Sequence, residues 1–294
     1  MDFILILICL GFVFTIVRYL IIDFGGNNNG YGDNVLPPVI SGKEIIFSGS
    51  NTKITAQEIH TTLLKHHSYY GNLAIEAKKK FIRRVQNFMY IKTFVIKDDE
   101  VYKSMPILSS AAAVQLTFGL KDYLLPYYNI IRIFPGEYFA DHSFRVLAGN
   151  VKGRTISIAW NHFLDGYANV NDGSNVGLHE MSHALYCQKL IVEKNYAKDF
   201  CRKYDELHNE CKEAYKIEID GGRNFYSAYA DTDLQEFWAE SVELFFEKPE
   251  DMQSHYPTVF NAMRLLLNQD PRNKTEPVFE KQPSINNRLE KFFR

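Results

Sequence analysis

Cysteine is scarce in this chain, and the little there is does not pair. Cys9 lies in an apolar N-terminal run, which leaves Cys187, Cys201 and Cys211, an odd number without C-x-x-C spacing. That pattern points to reduced thiols more than to a disulfide framework. An excess of charge of one sign is lacking too. Thirty-three Lys and Arg stand against 35 Asp and Glu, a formal net charge of −2, so no whole-chain electrostatic basis for binding nucleic acid exists. The one basic cluster, "KKKFIRR" at 78–84, reads as the solvated face of a helix. No internal repeat is visible. Apolar residues, by contrast, are plentiful: 46% hydrophobic and 14% aromatic content excludes a disordered chain and supports a sizeable core.

The first 24 residues, "MDFILILICLGFVFTIVRYLIIDF", hold one charge, Arg18, between Phe3 and Ile22. Twenty helical residues span a hydrocarbon core of about 30 Å, and Arg18 can snorkel to the headgroups. No basic residue precedes the run and no small-x-small cleavage site follows it, so an uncleaved single-pass membrane anchor is expected over a signal peptide. Asp2 before the span and Arg18 at its far end place the main domain on the cytoplasmic side, in keeping with reduced thiols. The Gly/Asn-rich "GGNNNGYGDN" that follows opens a flexible linker, taken as 25–50, ahead of a folded domain over 51–270 and a polar tail over 271–294.

Within the domain, 74–94 has helical period, with Phe81, Val85 and Phe88 on one face. "ILSSAAAVQLTFGL" (107–120) is small and apolar nearly all round, as a buried helix requires. Short strands are expected at 129–134, 144–147 and 154–160, with Pro135-Gly136 and Gly149-Asn150 as turns. The last alternates Ile156, Ile158 and Trp160 against Thr155, Ser157 and Ala159, the pattern of a half-buried antiparallel strand at a sheet edge. From Ser174 onward the chain reads as mostly helical, with 196–215 a charged surface helix. The fold class is α+β.

Inside the helix "NVGLHEMSHALYCQKL", His179 and His183 are four residues apart, so both imidazoles face one point. Two neutral imidazoles so placed can fill two positions of a tetrahedral zinc site. Glu180 sits beside that face, where its carboxylate can act as general base on water at the metal without ligating it. The seven flanking residues Val176, Gly177, Leu178, Met181, Ser182, Ala184 and Leu185 are uncharged, unlike a surface helix with accidental histidines. The bland alternative is a pair of core histidines bonded to backbone.

A third ligand is missing from the motif itself. Tyr186 and Lys189 stand where a glycine and a third histidine would extend it, so a later glutamate is needed. Glu193, Glu206, Glu210 and Glu213 lie in the charged segment and read as solvated. "DTDLQEFWAESVELFFEKP" is better: Asp231, Thr232 and Asp233 supply helix caps, and the apolar residues imply a buried helix. Glu236, Glu240 and Glu243 share one of its faces, and a buried carboxylate must be paired or bound to metal. Glu236 is assigned as ligand, with Glu240 or Glu243 orienting a ligating histidine through its free N–H.

At this point the chain resembles the MtfA-type zinc-dependent peptidases (Mlc titration factor A, the DgsA anti-repressor), which are gluzincins. The resemblance runs over about 63–246, through "ILSSAAAVQLTFGL", "IRIFPGEYF", "GRTISIAW", "DGSNVGLHEMSHAL" and "YADTDLQEFWAESVELFFE". It implies a zincin-like metallopeptidase domain: a small mixed sheet with an edge strand beside the HExxH helix, and a mostly helical C-terminal half. It implies one Zn2+ per chain on His179, His183 and Glu236, Glu180 as general base, and Tyr229, seven residues before the third ligand, assisting catalysis. Two departures stand out: His183-Ala-Leu-Tyr186 lacks the acidic residue the family often carries there, and the family's soluble members lack the N-terminal anchor.

The expected activity is therefore hydrolysis of a peptide or protein substrate at zinc, with the strand at 154–160 binding an extended peptide by β-augmentation. The resemblance also implies an alternative, a regulator that binds a repressor-like protein partner through 78–84 or 196–215, with peptidase activity secondary. A metal-bound scaffold without catalysis is the third reading.

Overall fold

The computed structural model describes residues 44–51, 53–97, 103–139, 146–192, 198–221, 225–227, 230 and 234–279. The expected anchor at 1–24 lies outside them, as do Glu193 and Tyr229; among the described residues no helix is long and apolar enough to cross a membrane.

A five-stranded mixed sheet carries the N-terminal half. Its strands are β1 (Glu44–Ser48), β2 (Thr93–Lys97), β3 (Ile130–Phe134), β6 (Gly149–Lys152) and β7 (Thr155–Ala159), in the order β1-β2-β3-β7-β6. The pairs β2/β3 and β3/β7 are parallel, while β1/β2 and β6/β7 are antiparallel. A separate two-stranded ribbon joins β4 (Tyr138–Phe139) to β5 (Val146–Leu147).

Four expectations are corrected here. The helix expected over 74–94 ends at Tyr90, because Thr93, Phe94, Val95 and Ile96 pair in parallel with Ile130 to Ile133. Helical period in 81–88 could not reveal that partner, which lies more than thirty residues on. The strand expected at an edge, β7, is paired on both sides, and Ile156 to Ala159 are all buried. Among the described residues the edge strands are β1 and β6, and the one beside β7 is β6. Gly149 and Asn150, expected as a turn, begin that strand; the turn follows it, at Gly153 with φ +57°. The domain also reaches beyond 51–270 at both ends. Glu44–Ser48 inside the expected linker forms β1, and Val278 bridges back to Gln269.

The helices are α1 (Ala56–His66), α2 (Ser68–Asn72), α3 (Ile75–Tyr90), α4 (Ser104–Thr117), α5 (Trp160–Ala168), α6 (Val176–Tyr186), α7 (Lys198–Gly221), α8 (Leu234–Glu247), α9 (Pro249–His255) and α10 (Pro257–Leu267). Helix α3 buries Phe81, Val85, Phe88 and Met89. Each such side chain contributes about 1.5–3 kcal/mol when fully removed from water. Its basic cluster is not merely solvated. Arg84 donates to the carbonyls of Thr117 (3.0 Å), Phe118 (2.9 Å) and Leu120 (2.9 Å), closing the C-terminus of α4 where a cation is favoured by the helix dipole.

Helix α4 is buried from Met105 to Thr117, as its small apolar sequence requires. Its Ser109 and Thr117 hydroxyls donate back to the Met105 and Ala113 carbonyls, both at 2.7 Å, while the buried Ser110 hydroxyl has no partner among the described residues. It packs behind α6, the helix that carries HEMSH, while β6 and β7 flank another side of α6 and α8 a third. Helix α7 keeps Arg202, Glu206, Glu213 and Lys216 in surface ion pairs and buries Phe200, Tyr204 and Leu207.

Candidate metal centre

Helix α6 starts where Asn175, in extended backbone, accepts a hydrogen bond from Leu178 N (3.0 Å) through its side-chain oxygen. Gly177 lets it approach α5 closely: a Cβ there would meet Phe163 at 2.6 Å. One turn later the two histidines turn their rings to one place, with centroids 4.8 Å apart and planes crossing at 76°.

Helix α8 crosses beside it, pinned by Trp238 Nε1, which donates to the Ser182 carbonyl (3.0 Å). Glu236 on its first turn completes the cluster. His179 Nε2 lies 3.1 Å from His183 Nε2 and 3.1 Å from Glu236 Oε2, and His183 Nε2 lies 3.5 Å from Glu236 Oε1. Ligands about 2.0–2.1 Å from a tetrahedral zinc stand about 3.3 Å from one another. Two imidazole nitrogens and a carboxylate at these separations have the spacing and the chemistry of a metal's donor set. Burial would raise the Glu236 pKa, but the two histidines outweigh it and hold the carboxyl well below its usual range.

The sequence left open which glutamate orients a histidine. The structure separates them. Glu243 Oε1 accepts from His179 Nδ1 at 2.5 Å, which leaves Nε2 directed at His183 and Glu236, where it could ligate a metal. Burial alone would lower the pKa of His179, but Glu243 and Glu236 together raise it well above that of free imidazole. Glu240 does something else. Its two carboxylate oxygens accept from Ser227 N and Ser227 Oγ, both at 2.6 Å. Tyr226, stacked on Phe237 at 4.2 Å and bonded to Ser241 Oγ at 3.1 Å, docks the same segment on α8.

A fourth carboxylate on this face went unread in the sequence. Glu247 accepts from Asn175 Nδ2 (3.1 Å) and Gly173 N (3.0 Å), so α8 also holds the residue that caps α6. The i, i+4, i+7, i+11 spacing of the four glutamates was visible, and Glu247 could have been found by extending the stripe one turn.

Glu180 is 6% exposed and faces the edge strand. Burial pushes its pKa up to about 7 against the pull of both histidines. Its Oε2 is buried without a hydrogen-bond partner among the described residues. A carboxylate oxygen left without a donor beside three convergent ligands fits a site built around something the protein chain does not itself supply. Beside it, Tyr138 Oη donates to Asn150 Oδ1 (2.8 Å) on β6. Glu206 and Glu213 stay on the surface of α7, paired with Arg202 and Lys216 at 2.8 Å, and take no part.

An HExxH helix, a glutamate from a later helix and a mixed sheet with an edge strand beside them fit a zincin-like domain. The chain belongs to the family described as glucose-regulated metallo-peptidase M90, which matches residues 49–267. It is also 24% identical over 221 residues to an uncharacterized protein of Synechocystis sp., covering 67% of this chain and 78% of that one. The family implies a metal, and the His179, His183 and Glu236 donor set suits zinc.

Proposed function

We propose that this protein is a zinc-dependent peptidase that hydrolyses peptide bonds with Glu180 as general base. The observation that carries the reading is the tetrahedral spacing of His179, His183 and Glu236 beside the donorless Oε2 of Glu180. His179, His183 and Glu236 would hold the zinc, which would supply Lewis acidity to the site. Glu180 takes the proton of the attacking water on Oε2 and returns it to the leaving amine. Glu243 keeps His179 in the tautomer that ligates through Nε2. Tyr229, by its place in the family pattern, donates to the oxyanion. The substrate backbone extends the sheet along β6, next to Glu180.

The test is cleavage of a peptide mixture by the zinc-loaded full chain, with Glu180→Gln beside it. Hydrolysis lost in the variant, with one zinc still bound, is the expected result; equal turnover in both would remove Glu180 from its role. The resemblance to the MtfA type suggests a second reading, in which a repressor-like protein partner also docks on this fold. Partner capture unchanged in Glu180→Gln would place that docking away from the catalytic base. The apolar residues 1–24 support membrane anchoring, with the catalytic domain cytoplasmic. Recovery of the full chain in the soluble fraction would end the first claim, and protease protection in sealed cells tests the second.

A further inference from the structure

The sheet turns one face into the core, through Ile131 and Ile133 on β3 and Ile156 and Ile158 on β7. Alternation puts Arg132, Ser157 and Asn150 on the opposite face. The register sets them side by side in one row, Arg132 against Ser157 and Ser157 against Asn150. Gly149 and Asn150 thus present the two sides of β6. The first lies against Glu180, and the second ends this outer row at the open edge.

Asn150 is held in place but only half used. Tyr138 is 7% exposed and stacks on Phe134 with ring centroids 3.8 Å apart. Its hydroxyl donates to Asn150 Oδ1 at 2.8 Å, which turns the amide oxygen toward the phenol and Nδ2 away from it. Nδ2 has no acceptor among the described residues.

Two strands further in, Arg132 is in a similar state. Its Nε is buried without a partner, and its guanidinium forms no ion pair among the described residues. Its charge is felt at the Tyr138 phenol, which touches Asn150. Glu44, on the same face of β1, is taken by Lys97 at 2.6 Å, and Glu137, just before Tyr138, by His162 at 2.9 Å. The outer row therefore offers an amide donor and a cation with no carboxylate in contact with them.

We propose that Asn150 and Arg132 form a specificity subsite for an acidic side chain of the substrate. The inference rests on the reading in which a peptide extends the sheet along β6. Gly149 and Val151 turn their backbone groups to the open edge, so a peptide antiparallel to β6 meets Asn150 in a non-hydrogen-bonded pair. Side chains come closest in such pairs, with Cβ atoms about 4.5–5.5 Å apart. An Asp or Glu there accepts from Asn150 Nδ2 in a charge-assisted bond. It also points along the row toward Arg132, about 9.5 Å from Asn150 by two strand spacings. An apolar side chain in that place leaves the donor unmet.

The test reads binding, so it does not depend on turnover. Zinc-loaded full chain carrying Glu180→Gln is titrated by fluorescence anisotropy with labelled alanine heptapeptides that bear Asp, Asn, Leu or Lys at each position in turn. Asp at one position is expected to bind about tenfold tighter than Leu there, with Lys the weakest. Adding Asn150→Asp keeps an acceptor for Tyr138 and replaces the donor by a carboxylate, and should reverse the order to favour Lys. Arg132→Gln should bring Asp to the level of Asn. No preference for Asp at any position, no binding by any peptide, or a preference that survives Asn150→Asp overturns the proposal. Cleavage of the same peptides by the wild-type chain is scored separately. Preference without cleavage would keep the subsite and remove the peptidase; cleavage without preference would do the reverse.

Discussion

Gly149 on the edge strand lies directly against the side chain of Glu180: a Cβ built on the glycine would stand 2.5 Å from Glu180 Oε1 and 2.6 Å from its Cγ. Under the proposed function, the contact joins the two elements that must be held in register, the strand that would receive substrate and the carboxylate that would act on it. A missing side chain on one is what gives the other its place.

Gly149→Ala should therefore act on catalysis without acting on metal. The added methyl forces Glu180, boxed in by burial, to another rotamer, while His179, His183 and Glu236 are untouched. A fall in kcat of about 100-fold is expected, the low end of what a general base contributes. Zinc content by mass spectrometry should stay at one per chain. Full activity in the variant would show that the base is free to move.

The division of labour along α8 gives a second pair of outcomes. Glu243→Gln keeps an acceptor for His179 Nδ1 but removes the charge, and zinc affinity should drop about 10- to 100-fold in chelator competition. Glu240→Gln loses one of two bonds to Ser227 and should leave zinc affinity unchanged while lowering stability by about 1 kcal/mol. Equal losses of zinc affinity in both would mean that the two carboxylates act as one charge cluster.

What could be read in the sequence, and what could not, follows the range of the interaction. His179, Glu180 and His183 are fixed by helical spacing within five residues, and Glu236 by an apolar helix whose glutamates had to be buried with partners. The choice between Glu240 and Glu243 could not be read, because it depends on how α8 is rotated against α6. Gly149 reads as a turn, since a glycine beside an asparagine has that local signature; its pairing with Ile158 and its contact with Glu180 place it in a strand. The parallel pairings of β2 with β3 and of β3 with β7 were likewise invisible, as nothing local to "TFVIK" names a partner at 130–133. Asn175 was open to reading: an Asn just before an uncharged helical run is a cap signal.

Glu247 carries a pH dependence of stability with a definite sign. Burial pushes its pKa up to about 8 from an ordinary 4.5, although Asn175 and Gly173 donate to it. The folded state thus holds a proton that the unfolded state releases, and the stabilisation is complete below about pH 4.5 and lost as pH rises through 8. Glu240, raised to about 7, has the same sign. Urea midpoints measured from about pH 5 to about pH 8 should fall in the wild type and fall less steeply in Glu247→Gln. Parallel curves would show that Glu247 titrates normally in the fold.

The free edge of β6 makes the last prediction, and its geometry selects the residue. Ala159 N donates to Ala148 O at 2.7 Å, so in the antiparallel β6/β7 ladder the pairs 148/159, 150/157 and 152/155 exchange hydrogen bonds. Gly149 and Val151, between them, turn their N–H and C=O groups outward to the open edge. A peptide that extends the sheet must use those groups. Val151→Pro deletes one outward donor and no bond to β7, and an edge strand tolerates proline on its open side. The expected effect is a rise in KM of about tenfold, the worth of one hydrogen bond, with kcat little changed and the melting temperature held. Asn150→Pro, which would cut a bond to β7 instead, should lower the melting temperature. If Val151→Pro left KM unchanged, substrate would have to reach Glu180 by side-chain contacts and not along the strand.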